Sequence, residues 1–280
     1  MNNTINVFDI YDLLILFITG SVGGVLAGLL GIGGGLVYVV AFTYYLQFFG
    51  LSDVEIVKYL VSNSIFGVFF AGVSGTIKQI RTKNFYFREV IITAVPGILA
   101  ALITSFFIVK YDWYSKERFA VFFILILLIF ALRMFWPIKP KGLVVTRSDL
   151  PPVNFIITGF FSGMLSALSG LGGGIILIPI LAGMMRLKIV KASSISLGMM
   201  PFFALAMSLY YGTEQLAPIE FAGTIGYLII PLVLPVALGV VIFAPLGVRI
   251  AHKLPGKAIR IIFGVVMLLV IVKMSYQFYF

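Results

Sequence analysis

Two glycine clusters contain the residues of this chain whose type and spacing could do chemistry. The first is Gly31-Ile32-Gly33-Gly34-Gly35, and the second, 139 residues further on, is Gly170-Leu171-Gly172-Gly173-Gly174. Each lies between two apolar runs, and because Gly is a poor helix former, the pattern predicts helices that break and restart. The N–H groups and the positive dipole end of a restarting helix can hold an anion, which glycine allows to approach closely.

Two short polar stretches could add donors to these backbone groups. An oxyanion in a low-dielectric interior needs hydrogen bonds in place of water, and neutral donors release it more readily than a buried Arg or Lys. We therefore predict a substrate-binding site of glycines and neutral side chains. Its members are Gly31, Gly33, Gly34, Gly35, Ser62, Asn63, Ser64, Gly170, Gly172, Gly173, Gly174, Ser193, Ser194 and Ser196.

Glycine and serine are also common in membrane helices that bind no ligand. Gly20, Gly24 and Gly28 have the four-residue spacing of close helix packing. Serine often bonds the backbone of its own helix, which would leave the serines without a role in binding. The clusters weakly resemble phosphate-binding turns, but neither is followed by Lys-Ser/Thr or set in a βαβ unit. For the two clusters we favour the broken-helix site.

Composition places these motifs in a membrane. Of 280 residues, 61% are hydrophobic and 11% are charged, against about 25% charged in a soluble protein. The predicted fold class is all-α: a polytopic transmembrane helical bundle. With no cysteine, one histidine (His252) and few acids, neither a disulfide, a metal site nor a cofactor is expected.

The apolar segments divide into two similar series. Those of the first half are 13–30, 36–49, 57–77, 90–109 and 119–137. Those of the second half are 153–169, 175–185, 192–211, 221–247 and 259–279. We expect a first transmembrane repeat at 1–137, a cytoplasmic linker at 138–152 and a second repeat at 153–280.

Loop charge predicts the orientation. Lys and Arg are concentrated in the loops 78–89, 138–152, 186–191 and 249–260. The positive-inside rule makes these loops cytoplasmic, in a cell (inner) membrane, and explains the net charge of +10 without nucleic acid. Loops 110–118 and 212–220 and both termini are then external. Segment 153–185 must enter and leave on one side, as a re-entrant hairpin or as two full spans.

The two halves are related in sequence. At a shift of 139, nine of seventeen positions are identical between 19–35 and 158–174, and a shift of 132 places Ser64 on Ser196. One hairpin and three spans per half reverse the direction of the second copy, which makes this an inverted-topology repeat. Its two-fold axis would bring both glycine breaks together at mid-depth.

The motifs also resemble those of a known family. The strings Gly28-Leu29-Leu30-Gly31-Ile32-Gly33-Gly34-Gly35 and Ser166–Pro179 resemble the twin signature of the TauE/SafE sulfite exporter family, of the 4-toluene sulfonate uptake permease type. The resemblance spans nearly the whole chain and implies transport of sulfite, sulfonates or other organosulfur anions. In two departures, Val40 stands where the family usually has the proline matched by Pro179, and Ile195 replaces the usual threonine.

The predicted function is a secondary permease for a small sulfur-containing anion, and not an enzyme. The expected partners are that anion and the lipid bilayer, with no nucleic acid and with a homodimer left open. One alternative is a cation or metal permease, for which Met199, Met200 and Met207 are weak ligand candidates. Another is a membrane enzyme or scaffold, although convergent acid and base groups are lacking in the apolar segments. A proton-coupling carboxylate is not visible either, so a facilitator mechanism stays open.

Overall fold

The computed structural model describes residues 8–135, 151–185, 187–214 and 223–279. Over the described residues, the α-helices of the first half are α1 (Ile10–Leu30), α2 (Gly35–Leu46, followed by a 3₁₀ turn at Gln47–Phe49), α3 (Asp53–Arg81), α4 (Phe87–Lys110) and α5 (Lys116–Phe135). The second contains α6 (Pro152–Ser169), α7 (Gly174–Ile178), α8 (Ile189–Thr213), α9 (Ile230–Lys253) and α10 (Gly256–Tyr279). Two short strands, β1 (Thr224–Ile225) and β2 (Leu228–Ile229), precede α9.

Helix lengths confirm a polytopic helical bundle. Within the described ranges, eight helices are long and apolar enough to cross a membrane: α1, α3, α4, α5, α6, α8, α9 and α10. The segments after the glycine clusters, Gly35–Phe49 and Gly174–Met184, are shorter. At 1.5 Å per residue, the 12 residues of α2 extend only about 18 Å, well short of the roughly 30 Å hydrocarbon core.

Each half begins with a helical hairpin that turns at its glycine cluster. In the first hairpin, the Tyr45 hydroxyl near the end of α2 donates to Asp12 at 3.2 Å near the start of α1. In the second, α7 runs into a π-helical turn at Pro179–Met184. Pro179 has no N–H to donate, so it interrupts the α-helical hydrogen-bond ladder there. The equivalent residue of α2 is Val40, which has an N–H, and α2 stays regular past it.

The ends of the helices lie on two faces. We define the basic face as the one formed by the ends of α3, α5 and α9 and the starts of α4, α8 and α10. Contacts across it join Arg260 to the Met134 carbonyl at 3.0 Å, and Lys191 to Glu89 at 3.8 Å. The loops predicted to be cytoplasmic therefore meet at one face, as far as they are described. Arg186, Glu220 and linker residues 138–150 lie outside the described residues.

Helices from the two halves are interlocked. Helix α1 packs on α9, α4 on α6, α3 on α8 and α5 on α10, and every pair joins the two halves. The predicted packing glycines lie in these seams: a Cβ atom at Gly20 would be 2.1 Å from the Val236 carbonyl oxygen, and one at Gly28 would be 2.0 Å from that of Ala244. These backbones touch because the glycines lack side chains.

One predicted boundary is wrong. The span predicted at 221–247 is α9, which begins at Ile230 and ends at Lys253. Residues 224–229 are apolar enough to be part of it, but they form the antiparallel hairpin of β1 and β2. Gly223 and Gly226 have φ of 94° and 55°, a left-handed backbone that permits turns and prevents an earlier helix start.

Candidate functional site

Both glycine clusters break their helices as predicted. Gly31 ends α1 with φ of 75°, and its N–H donates to the Ala27 carbonyl at 2.7 Å. Gly170 ends α6 with φ of 68°, and its N–H donates to the Ser166 carbonyl at 2.8 Å. The next positive φ values are also matched, at Gly33 and Gly34 and at Gly172 and Gly173. A side chain would strain this backbone, which explains the glycines at these four positions.

The structure brings the two breaks into contact. A Cβ atom at Gly35 would lie 2.7 Å from the Gly170 carbonyl oxygen, and one at Gly174 would lie 2.3 Å from that of Gly31. The starts of α2 and α7 therefore face the opposite cluster. Their first N–H groups have no partner within their own helices, and each helix start carries roughly half a positive charge.

Ser64 and Ser196 join each half to the break of the other half. The Ser64 hydroxyl donates to the Gly170 carbonyl at 2.7 Å, and the Ser196 hydroxyl donates to the Gly31 carbonyl at 2.7 Å. Both side chains are fully buried. Because each hydroxyl proton is already used, neither serine has a free proton to donate to an anion in this conformation.

The other predicted polar residues divide into two groups. Ser193 belongs to the centre, since a Cβ atom at Gly31 would lie 2.5 Å from its Oγ, and that buried Oγ has no hydrogen-bond partner. Ser62, Asn63 and Ser194 do not join it. Their side chains bond carbonyl groups of loops nearer the two faces.

Three central residues were not among the predicted anion-site residues, although Met200 was named as a weak ligand candidate for a metal. Val68 and Met200 lie at the middle of α3 and α8, and a Cβ atom at Gly33 would be 2.9 Å from both Val68 Cγ1 and Met200 Sδ. They follow Ser64 and Ser196 by four residues, so the i, i+4 rule could have found them. Tyr38 is buried with its hydroxyl unpaired, 2.2 Å from where a Gly34 Cβ would be.

Charged groups lie away from the glycine clusters. Among the buried side chains of the described ranges, Lys58 and Glu89 are the two that can carry a charge. Each lies near a helix start and forms an ion pair, Lys58 with Asp112 at 3.1 Å and Glu89 with Lys191. The described ranges contain no cluster of three or more His, Asp or Glu residues suited to a metal ion. The centre is therefore a buried site without charged side chains among the described residues.

An inverted pair of broken helices inside a bundle of membrane-spanning helices is an arrangement found in many membrane transporters. The comparison with protein families agrees. The model of the sulfite exporter TauE/SafE family matches residues 16–274, and this chain belongs to that family.

Its relatives carry transporter names. A probable membrane transporter protein of Methanocaldococcus jannaschii is 30% identical over 249 residues, which cover 88% of this chain and 89% of the relative. A probable membrane transporter protein of Haemophilus influenzae is 27% identical, over 94% of this chain and 97% of the relative. The family and these relatives make this chain a multi-pass membrane transporter.

Proposed function

We propose that this protein is a secondary permease for a small sulfur-containing anion such as sulfite or an organosulfonate. One observation carries the proposal: the starts of α2 and α7 meet where the two glycine clusters touch. The anion would accept hydrogen bonds from cluster N–H groups. Ser193 would add its unpaired hydroxyl, and Ser64 and Ser196 would hold the two loops in position.

The absence of charged side chains at the described centre favours an anion that is bound weakly enough to be released and transported. Two helix starts attract negative charge without the tight binding of a buried Arg. The packed side chains at the centre, Val68 and Met200, exclude water and make these dipoles effective. A cation would meet two positive helix ends there, which disfavours the metal permease.

The proposed orientation is that the basic face is cytoplasmic, in the cell (inner) membrane, with both chain termini external. The clusters touch midway along α3 and α8 and are buried. Alternating access would open this central site to one face at a time, which is the behaviour that inverted repeats provide in other transporters.

Flux in proteoliposomes tests the substrate class. Purified protein reconstituted into lipid vesicles is expected to move radiolabelled sulfite or a sulfonate down its gradient, and empty vesicles are not. Sulfate, phosphate and chloride complete the panel, with Mn²⁺ and Zn²⁺ to test the metal alternative. Failure to move any anion would overturn the proposal.

Gly33→Leu and Gly172→Leu are expected to reduce flux below one tenth of the wild-type rate while the protein still inserts into the membrane. A Cβ atom at Gly172 would be 2.7 Å from Val68 Cγ1, and at Gly33 it would meet Met200 Sδ at 2.9 Å. Gly50→Leu is the matched control, because Gly50 also has a positive φ of 64° but nothing lies within 4 Å of its Cβ position. Wild-type flux in Gly33→Leu and Gly172→Leu would show that the clusters are only structural.

A further inference from the structure

Two loops, on opposite faces of the molecule, are each bonded to the polar stretch of the other half. On the face opposite the basic face, the Tyr227 carbonyl accepts hydrogen bonds from Ser62 Oγ at 2.8 Å and from Asn63 Nδ2 at 2.9 Å. On the basic face, the Asn84 carbonyl accepts a hydrogen bond from Ser194 Oγ. Each loop is thus held by side chains of a helix from the other half.

The two attachments are related by the internal repeat. At a shift of 132 residues, Ser62 aligns with Ser194 and Gln79 aligns with Tyr211. The Tyr227 N–H donates to the Tyr211 carbonyl at 3.1 Å, and the Asn84 N–H donates to the Gln79 carbonyl at 2.9 Å. The two loops differ in length and sequence, so their matching contacts come from the fold.

Both loops lie close to the central site. Ser62 and Ser194 are each two residues from the serine that bonds a glycine break. Tyr227 is only 3% exposed, and its ring packs edge-on against Tyr59 at 5.1 Å between ring centroids. Burial, reinforced by that neighbouring phenol, raises the pKa of Tyr227 to about 12, so its hydroxyl is neutral. On the basic face, Phe85 packs against Gly198 of α8.

We infer that residues 223–229 and residues 82–86 are the two gates of the transport route, and that Asn63 and Asn84 hold them shut. This inference rests on the proposed function. It assigns Asn63 to gating and not to substrate binding, because its amide is fully occupied: Nδ2 donates to the Tyr227 and Tyr59 carbonyls, and Oδ1 accepts from the Ile229 N–H at 2.7 Å.

The two asparagines hold their gates in different ways. Asn63 lies on α3 and forms hydrogen bonds to the loop. The repeat-related residue on α8 is Ile195, which has no polar side-chain atom. Asn84 lies in the loop and binds α3 and α8, since its Nδ2 donates to Gln79 Oε1 at 2.9 Å and to the Val190 carbonyl at 3.3 Å. One substitution can therefore release one gate without touching the other.

The interlocked helices explain why short gates would serve this fold. Rocking one whole half against the other would separate α1 from α9 and α4 from α6, where glycine backbones touch carbonyl groups. Moving residues 223–229 instead breaks local contacts: hydrogen bonds to Ser62, Asn63 and Tyr211, and the ring contacts of Tyr227 with Tyr59 and Tyr211. Opening each gate in turn gives alternating access with the central helices in place.

The absence of cysteine from the chain makes the test direct. Val68→Cys places a single thiol at the centre, and a membrane-impermeant thiol reagent is added from each face, in right-side-out and in inverted membrane vesicles. Asn63→Ile is expected to speed labelling from the face of residues 223–229 about tenfold, as expected for the loss of one or two net hydrogen bonds. Asn84→Ala is expected to do so from the basic face only.

Ser74→Ala is the matched control for this experiment. Ser74 Oγ donates to the Val241 carbonyl at 2.9 Å, which is also a bond between the two halves but lies in neither gate. Its labelling rates are expected to equal those of the Val68→Cys parent. Equal acceleration from both faces in Asn63→Ile, or the same change in Ser74→Ala, would overturn the assignment.

A second measurement tests the gates if Asn63→Ile folds too poorly to be labelled. In Asn63→Ala, hydrogen–deuterium exchange is expected to rise at residues 223–229 and to stay unchanged at residues 82–86, and unchanged exchange at both would also overturn the gates. Neither measurement uses a substrate. If labelling responds as expected but no anion is transported, the proposed substrate class is wrong and the gates stand. If anions are transported but labelling does not respond, the gate assignment is wrong and the substrate class stands.

Discussion

At the scale of single residues, the hydroxyls of Ser64 and Ser196 satisfy carbonyl groups that helix ends leave open. The last carbonyls of a helix have no partner in it, and an unpaired carbonyl is costly to bury. Gly31 and Gly170 are in this position, and each receives its donor from a helix of the other half. These serines therefore hold the site together before any ligand binds.

Removing either hydroxyl is expected to destabilise the fold. Ser64→Ala or Ser196→Ala leaves a buried carbonyl unpaired, which costs about 1–3 kcal/mol of unfolding free energy. The midpoint of thermal unfolding in detergent measures the effect. Ser166→Ala is the control, since Ser166 is equally buried but its Oγ has no hydrogen-bond partner. An equal fall in all three variants would contradict this role.

The polar stretches show what a sequence reveals about single residues. Residues two apart on an α-helix point about 200° away from each other, since a turn takes 3.6 residues. Ser62 and Ser64 therefore cannot face one site, and this signal was available in the sequence, as it was for Ser194 and Ser196. Which of each pair faces the glycines could not be known, because that depends on the rotation of α3 and α8 in the bundle.

At the scale of elements, the seam between α1 and α9 depends on how closely the two backbones approach. The glycines of α1 were predicted to pack a neighbouring helix, but the neighbour could not be named. Its identity requires contacts between segments more than 200 residues apart in sequence, such as that between Gly28 and Ala244. The local sequence pattern shows that one face of a helix carries only small residues, but it does not show which helix packs against that face.

Two substitutions within α1 test this seam. Gly28→Ala is expected to lower the free energy of unfolding by about 2 kcal/mol, the usual cost of overpacking, because its Cβ would lie 2.0 Å from the Ala244 carbonyl oxygen. Gly24→Ala is the matched change, with its nearest atom, Val240 Cα, at 3.0 Å. Both gain the same helix propensity, so thermal unfolding should show a larger loss at Gly28. Equal losses would contradict the contact.

Elements whose limits are set locally were predicted well. Glycine clusters end α1 and α6 because a positive φ stops a helix wherever it occurs. The start of α9 was missed because residues 224–229 are as apolar as a membrane span. Their hairpin is instead held by Asn63 and Tyr211, which lie far away in sequence.

At the scale of the whole molecule, the distribution of charge predicts how the protein lies in its membrane. Arg81 at the end of α3 and Asp53 at its start are both exposed and occupy opposite faces. In intact cells, a membrane-impermeant maleimide is expected to label Asp53→Cys and to leave Arg81→Cys unlabelled until the cells are permeabilised. The cysteine-free chain is the blank, and the reverse labelling pattern would contradict the proposed orientation.

By itself the sequence determined the membrane class, the two breaks, the inverted repeat and the family, because each depends on local backbone preference, apolar length or repeated pattern. Only the tertiary structure decided which donors meet which carbonyls. It placed Ser64 and Ser196 on the glycine breaks and Asn63 on the loop of Tyr227. The physical reason is that a side chain's partner depends on helix rotation and depth, which are set by packing among elements distant in sequence.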